Sequence, residues 1–243
     1  MEKDALFIDI GTNGEIALCS QGKLYATSTA AGPALEGACI ECGLGGVDGA
    51  IDKVYYQDGN LQFTTIGMVA PKGICGSGLV DLIALFLSEG LIDEGGAWVE
   101  DSENPLLSRL NDDKFYVTER IYVSQKDIRQ FQLAKAAIMA GVETLLHEQQ
   151  MRVEDVQALY IAGGLGYYLD AKNAGLVGLL PVKLLSKIQL VGNTSLQGAT
   201  LCLLKQEHQK RIEDIATNTS VVELSTSPYF MDAYIDNISF IGE

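Results

Sequence analysis

The sequence predicts an α/β domain with a mixed sheet flanked by helices, and two observations lead to that prediction. The first 30 residues contain three apolar runs of strand character joined by short polar turns. Farther along the chain, helical and strand patterns alternate. Hairpin strands followed by alternating helices and strands are typical of a sheet with both antiparallel and parallel neighbours. No break in composition marks a second domain, so we expect residues 1–243 to form one unit.

The first elements are predicted from turn residues between apolar runs. Three strands are expected over residues 5–11, 15–20 and 23–30. Asn13–Gly14 favours a tight turn with positive φ between the first two strands, and Gln21–Gly22 joins the second to the third. Pro33 opens a short predicted helix over residues 33–43. A second hairpin is predicted over residues 50–67, with its turn at Asp58, Gly59 and Asn60.

Helix and strand patterns alternate in the remainder. Apolar spacing of three and four predicts a helix over residues 77–90 and the longest helix over residues 124–150, with Ser124 as N-cap. Residues 93–117 are polar and irregular, and we expect a surface excursion there. The other predicted elements are a buried strand over 156–164, a helix over 169–180, a strand over 187–193, a long helix over 194–216 and a strand over 221–225.

The composition argues against several classes of function. Hydrophobic residues make up 47% of the chain, which suits a sizeable core. No apolar run reaches the roughly 18 residues of a membrane-spanning helix, and the first residues show no signal-peptide pattern. The net charge of −15 disfavours binding to nucleic acid or to an anionic membrane. Five scattered cysteines fit a reducing compartment, so we expect a cytoplasmic protein.

Four segments rich in small residues lie where a predicted strand meets a helix or a turn. They are residues 9–15, 29–37, 73–81 and 161–170. Glycine allows a backbone to approach a ligand closely, and a helix N-terminus attracts anions. Taken singly, each segment is more simply explained as a tight turn or as close helix packing. Together, four such segments at strand ends favour a nucleotide or phosphate site.

Several side chains in these segments suit a phosphate site. Asp9 is suited to hold Mg²⁺ directly or through water, because Mg²⁺ uses one or two carboxylates and retains several waters. Thr12 can donate its hydroxyl to a phosphate. Ser77 is predicted to cap the following helix, while Gly76 and Gly78 leave room for a ligand. The sequence contains neither a Walker loop nor a dinucleotide-binding fingerprint.

The order of these motifs is similar to that of a known family. The segments DIGTNGE, STAAGPALEG, GAI, GICGSGL, SQKDIRQFQLAKAAI, IAGGLG and GLLP…VGNTSLQGA resemble the C-terminal domain of the reductive activators of corrinoid proteins. The resemblance covers nearly the whole chain. It implies an actin-like ATPase lobe of ribonuclease H-like fold, in the superfamily of actin, sugar kinases and Hsp70. In this family, ATP binding and hydrolysis promote reduction of Co(II) to Co(I) in a corrinoid protein, with electrons from an iron–sulfur domain.

The resemblance also assigns expected roles to the glycine-rich segments. It makes residues 9–15 the second phosphate loop of the superfamily, with Asp9 as the catalytic residue that serves Mg²⁺ and the attacking water. It places residues 29–37 near the ribose and makes residues 162–166 the adenosine loop. It makes the helix from Asn193 the connecting helix behind the cleft. The implied nucleotide-binding residues are Gly11, Thr12, Asn13, Gly32, Glu36, Gly76, Ser77, Gly78, Gly163, Gly164 and Gly166.

The sequence departs from the family pattern in three ways. Actin-like ATPases have two lobes, each with its own phosphate loop, and a second such loop does not occur here. We therefore expect a single C-terminal lobe that does not hydrolyse ATP by itself. No iron–sulfur cysteine cluster occurs, so a [2Fe-2S] cluster is expected only in an N-terminal part outside these residues. Leu165 and Tyr167 stand near the adenosine loop, where phenylalanine and asparagine are expected.

The resemblance implies ATP and Mg²⁺ as ligands. The implied partners are a corrinoid iron–sulfur protein or a corrinoid methyltransferase subunit, together with a second copy of the chain in a homodimer.

Two alternative functions stay open: a non-catalytic dimerisation or partner-docking module, and a small-molecule kinase of the same superfamily. Cys39 and Cys42 form a CxxC pair without a second ligand pair, so we interpret them as two semi-buried thiols in the short helix after Pro33. A cluster shared across a dimer, as in related dehydratase activators, is the alternative for this pair.

Overall fold

The computed structural model describes residues 4–99, 103–165 and 168–240. In chain order, the strands are β1 (Ala5–Ile10), β2 (Gly14–Ser20), β3 (Lys23–Thr29), β4 (Ala50–Gln57), β5 (Asn60–Thr65), β6 (Gly73–Ile74), β7 (Leu110–Asn111), β8 (Lys114–Tyr116), β9 (Tyr122–Ser124), β10 (Ala158–Ala162), β11 (Ile188–Gly192) and β12 (Thr219–Val221). The α-helices are α1 (Gly76–Ser88), α2 (Gln125–Glu148), α3 (Ala171–Leu176), α4 (Thr194–Leu204), α5 (Gln206–Thr217) and α6 (Pro228–Asp236).

The main sheet has six strands in the order β11-β10-β1-β2-β3-β12. β2 is antiparallel to both β1 and β3, whereas β10 is parallel to β1 and to β11, and β12 is parallel to β3. Leu6, Ile8 and Ile10 alternate along β1 and are buried on the same face, as expected for a strand that covers a core. This topology confirms the predicted α/β class and the mixed sheet.

The longest helix, α2, packs against β2 and β3. It begins at a capping box: the Ser124 hydroxyl accepts a hydrogen bond from the N–H of Asp127, and the Asp127 carboxylate accepts one from the N–H of Ser124. The predicted N-cap is therefore confirmed. Residue 141 is glycine where the helix crosses the sheet, and a Cβ there would lie only 2.5 Å from Cγ2 of Thr29. Among the residues described, no helix combines the length and hydropathy that crossing a membrane requires.

Helix α1 is held by a buried carboxylate. Asp81 accepts hydrogen bonds from the N–H of Val54 at 3.1 Å and from the side-chain amide of Asn173 at 2.7 Å. Burial raises the pKa of Asp81 above its ordinary value, and these two hydrogen bonds oppose the effect. Through Asp81, the strand β4 and the helix α3 are both fastened to α1. The N-terminus of α1 is consequently fixed relative to the main body of the protein.

The predicted helix over residues 33–43 is wrong, because only one 3₁₀ turn forms, at Pro33–Glu36. Gly37 follows it in the left-handed region with φ of 82°, and its N–H donates to the carbonyl of Ala34, which ends the helix. Gly43 then packs against the backbone of Gly37, so the chain turns back on itself. Cys39 is exposed and Cys42 is half-buried in this turn, outside any helix.

Residues 93–117 are more ordered than their composition suggests. β7, β8 and β9 form a small antiparallel sheet, in which Phe115 is fully buried. The ring of Trp98 lies 5.0 Å from that of Phe86 in α1, measured between centroids. Aromatic packing of this kind contributes to the core beyond simple burial. This segment is thus part of the core as well as of the surface, and residues 100–102 within it lie outside the described ranges.

The predicted long helix over residues 194–216 is two helices. Lys205 is extended, with φ of −148° and ψ of 128°, and separates α4 from α5, which pack against each other. Neither glycine nor proline marks this break, so the local sequence carries no signal for it. Helix α6 was not predicted, although Ser227 as N-cap and Pro228 at the first helical position were available signals.

Helix α2 carries a buried lysine that fastens the last described residues. Lys135 is 2% exposed; its Nζ donates a hydrogen bond to the carbonyl of Ser239 and lies 5.2 Å from the centroid of the Phe240 ring. Burial lowers the pKa of Lys135 to about 8, and the charge of Glu143 opposes this effect. The link between α2 and the residues after α6 therefore depends on a desolvated amine.

We expect wild-type stability to rise between pH 8 and pH 10.5 relative to a Lys135→Met variant. Native Lys135 releases its proton near pH 8, whereas the unfolded lysine keeps it to about pH 10.5. The unfolded state then binds more protons in this window, so the free energy of unfolding increases with pH, by up to about 3 kcal/mol. Urea unfolding at a series of pH values measures this difference. Lys126→Met, at an exposed position near the start of the same helix, is the control, and its stability should follow the pH profile of the wild type. Parallel pH profiles of stability for wild type and Lys135→Met would contradict the prediction.

Candidate functional site

Three parallel strands end at the same edge of the main sheet. Gly163 follows β10 directly, with φ of 90°, and its N–H donates a hydrogen bond to the carbonyl of Gly192 at the end of β11, at 3.1 Å. Asp9 and Ile10 form the end of β1, next to β10. Ligands of open α/β sheets bind outside the carboxyl ends of the strands. This edge of the sheet is therefore the candidate ligand site.

The loop between β1 and β2 differs from the predicted turn. Ile10 pairs with Gly14, so the connection contains the three residues 11–13, and the N–H of Gly11 donates to the carbonyl of Asn13. Neither Asn13 nor Gly14 has a positive φ, so the predicted Asn–Gly turn is wrong. Gly14 serves close packing instead, because a Cβ there would lie 2.8 Å from Oγ1 of Thr29.

Asp9 is half-buried and lies beside two polar side chains. Its Oδ2 accepts a hydrogen bond from Oγ of Ser195, the second residue of α4, at 3.4 Å. Glu15 is its direct neighbour across the β1–β2 pair, so two carboxylates share one face of the sheet. Burial and the charge of Glu15 raise the pKa of Asp9, and the Ser195 hydrogen bond opposes this. Two adjacent carboxylates at a strand end favour the binding of a cation. That cation can then link the carboxylates to an anionic ligand.

The first two glycine-rich segments meet at a side-chain contact. The Thr12 hydroxyl donates a hydrogen bond to Oε2 of Glu36. The Cα of Gly11 also faces this carboxylate, because a Cβ built there would lie 3.6 Å from Oε1 of Glu36. Gly32, with φ of 76°, precedes the 3₁₀ turn that carries Glu36, and a Cβ there would meet no atom within 4 Å. Glu36 thus lies beside the predicted phosphate loop.

The third segment is packed more tightly than expected. Cys75 is the N-cap of α1, so the prediction of Ser77 as the cap is wrong. Ser77 is 2% exposed, and its hydroxyl donates to the carbonyl of Asp52 at 2.9 Å. A Cβ on Gly76 would lie 2.0 Å from a backbone oxygen of the 33–36 turn, and one on Gly78 would lie 2.2 Å from a backbone oxygen of β4. Both glycines therefore allow backbone packing rather than leaving open space.

The fourth segment lies against Asp9. A Cβ on Gly163 would be 2.7 Å from Oδ1 of Asp9 and 2.6 Å from the carbonyl oxygen of Ile10, so any side chain at residue 163 would push β10 away from β1. Gly164 is exposed, and a Cβ there would meet no atom within 4 Å. The predictions for Gly166 and Tyr167 fall outside the described residues.

A cavity of about 450 Å³ lies between these segments, within the size range of small-molecule sites. Of the predicted residues it is lined by Glu36, Gly76, Ser77 and Gly164. Thr12 contacts the lining residue Glu36, and Asp9 directly precedes the lining residue Ile10. The predicted residues that do not line the cavity are Asp9, Gly11, Thr12, Asn13, Gly32, Gly78 and Gly163. Lining residues that the sequence analysis missed are Leu44, Gly45, Gly46 and Tyr168. The pattern Gly43-Leu44-Gly45-Gly46 was an available signal.

The polar groups near the cavity fit Mg²⁺ better than a metal that needs a cage of protein ligands. Within the described ranges, no group of three or more His, Cys, Asp or Glu side chains is arranged to hold a metal ion. This strand end carries two carboxylates, those of Asp9 and Glu15, and Mg²⁺ takes one or two carboxylates and completes its shell with water and phosphate oxygens. Asp9, the half-buried one of the pair, is the residue that would hold the ion.

The hairpin start, the sheet order and the cavity at the strand ends define the class of protein: this is an actin-like α/β domain. The family described as the C-terminal domain of RACo, the ASKHA domain, matches residues 3–243. The chain belongs to this family, which confirms the resemblance noted in the sequence.

Two curated proteins are similar over nearly the whole chain. The "Corrinoid activation enzyme RamQ" of Eubacterium limosum is 39% identical over 255 residues, which cover 98% of this chain and 43% of that protein. The "[Co(II) methylated amine-specific corrinoid protein] reductase" of Methanosarcina barkeri is 29% identical over 260 residues, covering 97% of this chain and 46% of that protein. The chain therefore spans less than half the length of these relatives.

A solved structure shows the same fold. The protein titled "Reductive activator for corrinoid,iron-sulfur protein" superposes with a TM-score of 0.90 at 36% sequence identity. The superposition covers 98% of this chain and 40% of that one. The actin-like fold is therefore shared across the described part of the chain.

We expect Gly163→Ala to lower the free energy of unfolding by about 2 to 4 kcal/mol, because an alanine at positive φ is strained and its Cβ would overlap the backbone of β1. Gly164→Ala is a matched control in the neighbouring position, where a Cβ meets open space, and we expect a change below about 0.5 kcal/mol. Urea unfolding followed by circular dichroism measures both. Equal stability of the two variants would show that the contact between residue 163 and β1 is not tight.

Proposed function

We propose that this chain is the nucleotide-binding C-terminal lobe of an ATP-dependent reductive activator of corrinoid proteins. One observation supports the proposal: in a chain of the RACo C-terminal family, Glu36, Ser77 and Gly164 line one cavity, and Asp9 packs beside it against Gly163. The printed names of both curated relatives refer to corrinoid activation or to reduction of a Co(II) corrinoid protein, which supports the same role.

In the proposed site, the residues around the loop between β1 and β2 position the phosphates. Asp9 holds Mg²⁺ directly or through water and orients the attacking water, while the backbone of residues 11–13 faces the phosphates. The Thr12 hydroxyl, which donates to Glu36 in the structure, turns from Glu36 to the phosphates when nucleotide binds. Mg²⁺, when bound with nucleotide, neutralises phosphate charge. Because such catalysis is mostly positioning and electrostatics, rigid loops at strand ends are suited to it. Glu36 and Gly164 lie on the cavity wall, where we place the nucleoside.

The remaining parts of the proposed activity lie outside this lobe. We propose that a second lobe completes the ATPase site and that the [2Fe-2S] cluster belongs to a separate N-terminal domain. Closure of the two lobes on ATP would change the surface presented to the corrinoid protein and so drive the unfavourable electron transfer to Co(II). We further propose a cytoplasmic location, in keeping with the scattered cysteines, and a homodimer, as the family resemblance implies.

We expect the full-length protein to bind a non-hydrolysable ATP analogue more tightly with Mg²⁺ than with EDTA, and Asp9→Asn to reduce this gain about tenfold. The substitution keeps the size of the side chain but removes the charge that attracts the ion, and about tenfold corresponds to about 1.4 kcal/mol. Isothermal titration with and without Mg²⁺ measures the effect. Failure of the wild-type protein to bind nucleotide under either condition would overturn the proposed function.

A partner-docking module is the alternative that the structure supports with a specific observation. Helix α4 has no charged residue and no buried residue, and Leu203 and Leu204 at its end are 87% and 72% exposed. An apolar surface of this kind marks an interaction site in many proteins. For an Asp9→Asn variant of the full-length protein, light scattering and pull-down of a corrinoid protein measure association, and reduction of the Co(II) corrinoid measures activation. A docking module keeps association and activation without nucleotide, whereas an ATPase lobe loses activation.

A further inference from the structure

The first turn of α4 reaches the carboxylate of Asp9. Ser195 is the second residue of this helix, and its hydroxyl donates to Oδ2 of Asp9 at 3.4 Å. On the other side of Asp9, Oδ1 lies against Gly163, where the absence of a Cβ leaves room for it. One oxygen of the Asp9 carboxylate thus contacts the Ser195 hydroxyl, and the other contacts the backbone of Gly163, which has no side chain.

The position of Ser195 is set by contacts that do not involve Asp9. The N–H of Gly163 donates to the carbonyl of Gly192, which fixes the end of β11 beside the glycine loop. One residue later, the side chain of Asn193 caps α4 by accepting a hydrogen bond from the N–H of Leu196 at 2.9 Å. The side-chain amide of Gln197 donates back to a carbonyl in β11 at 3.3 Å. These bonds place the start of α4, and with it Ser195, next to Asp9.

A purely structural explanation of the Ser195 contact is weak. Ser195 is exposed, so water would satisfy its hydroxyl if Asp9 were absent, and no buried polar group depends on this bond. Asp9, in contrast, has Glu15 as a like-charged neighbour across the sheet. A donor on α4 restrains the carboxylate without adding another charge. A carboxylate offers about four acceptor positions, and the Ser195 hydroxyl occupies one of them, which leaves others for a cation or its waters.

We propose that Ser195 is a positioning residue for Asp9, holding its carboxylate in the orientation that binds the Mg²⁺ of a bound nucleotide. This inference rests on the proposed nucleotide-binding function. It assigns a role in the metal site to α4, which otherwise presents an uncharged and unburied surface. Ser195 does not touch the nucleotide in this proposal and acts only through Asp9.

The test compares Ser195→Ala with Ser195→Thr in the full-length protein. Isothermal titration with a non-hydrolysable ATP analogue, in Mg²⁺ and in EDTA, gives the Mg²⁺-dependent gain in affinity for each variant. We expect Ser195→Ala to reduce this gain about threefold, less than the roughly tenfold loss expected for Asp9→Asn, and to leave affinity in EDTA unchanged, because the lost bond is to a charged group that only the ion requires. Ser195→Thr keeps a hydroxyl and retains the gain. Mn²⁺ binding in the presence of the analogue, followed by electron paramagnetic resonance, is expected to weaken in parallel.

Thr200→Ala is the matched control. Thr200 is another exposed hydroxyl residue of α4, but it donates to the carbonyl of Leu196 within the helix. Any of three results overturns the role of Ser195. The Mg²⁺-dependent gain falls as much in Thr200→Ala as in Ser195→Ala, Ser195→Ala loses as much affinity in EDTA as in Mg²⁺, or Ser195→Ala keeps the full gain. If Asp9→Asn loses the gain while Ser195→Ala keeps it, the nucleotide site stands and only the Ser195 proposal falls. If wild type binds no nucleotide, both fall.

Discussion

The site depends on the close approach of β10 to β1 at residue 163. The N–H of Gly163 is bonded to the end of β11, and its Cα lies so near Asp9 and Ile10 that no Cβ fits between them. This contact aligns three strand ends, places the start of α4 beside Asp9 and sets one wall of the cavity. A side chain at this position would separate β1 from β10 and spread the polar groups apart.

Most glycines of the predicted site motifs serve packing within the protein. Gly76 and Gly78 let α1 approach the 33–36 turn and β4, and Gly14 lets β2 approach β3. Gly164 differs, because it lines the cavity with open space at its Cα. Close packing builds the site indirectly, because it brings α1 and the loops to one edge of the sheet. A glycine that faces a ligand and one that faces a backbone carbonyl have the same sequence signal, since both need only the absence of a Cβ.

The errors in the predicted elements have distinct physical causes. The helix expected after Pro33 ends at Gly37, where a left-handed residue caps it. The glycine was an available signal for this end, but the prediction rested on Pro33 as a helix start. The break at Lys205 has no local signal, because neither glycine nor proline occurs there, and α4 and α5 contact each other across it. Residues 93–117 are polar on average, yet Phe115 within them completes the packing around Trp98 and Phe86.

The sequence by itself determined the α/β class, the hairpin start, the long capped helix and the set of strand-end segments, because apolar periodicity, caps and turn residues are local. It also predicted Asp9 as a cation ligand, and this stays a prediction. Only the tertiary structure decided which segments meet. The contacts of Thr12 with Glu36, of Asp9 with Ser195 and of Gly163 with Gly192 join residues that are far apart in sequence. Such contacts arise from strand order and packing, which no short stretch of sequence encodes.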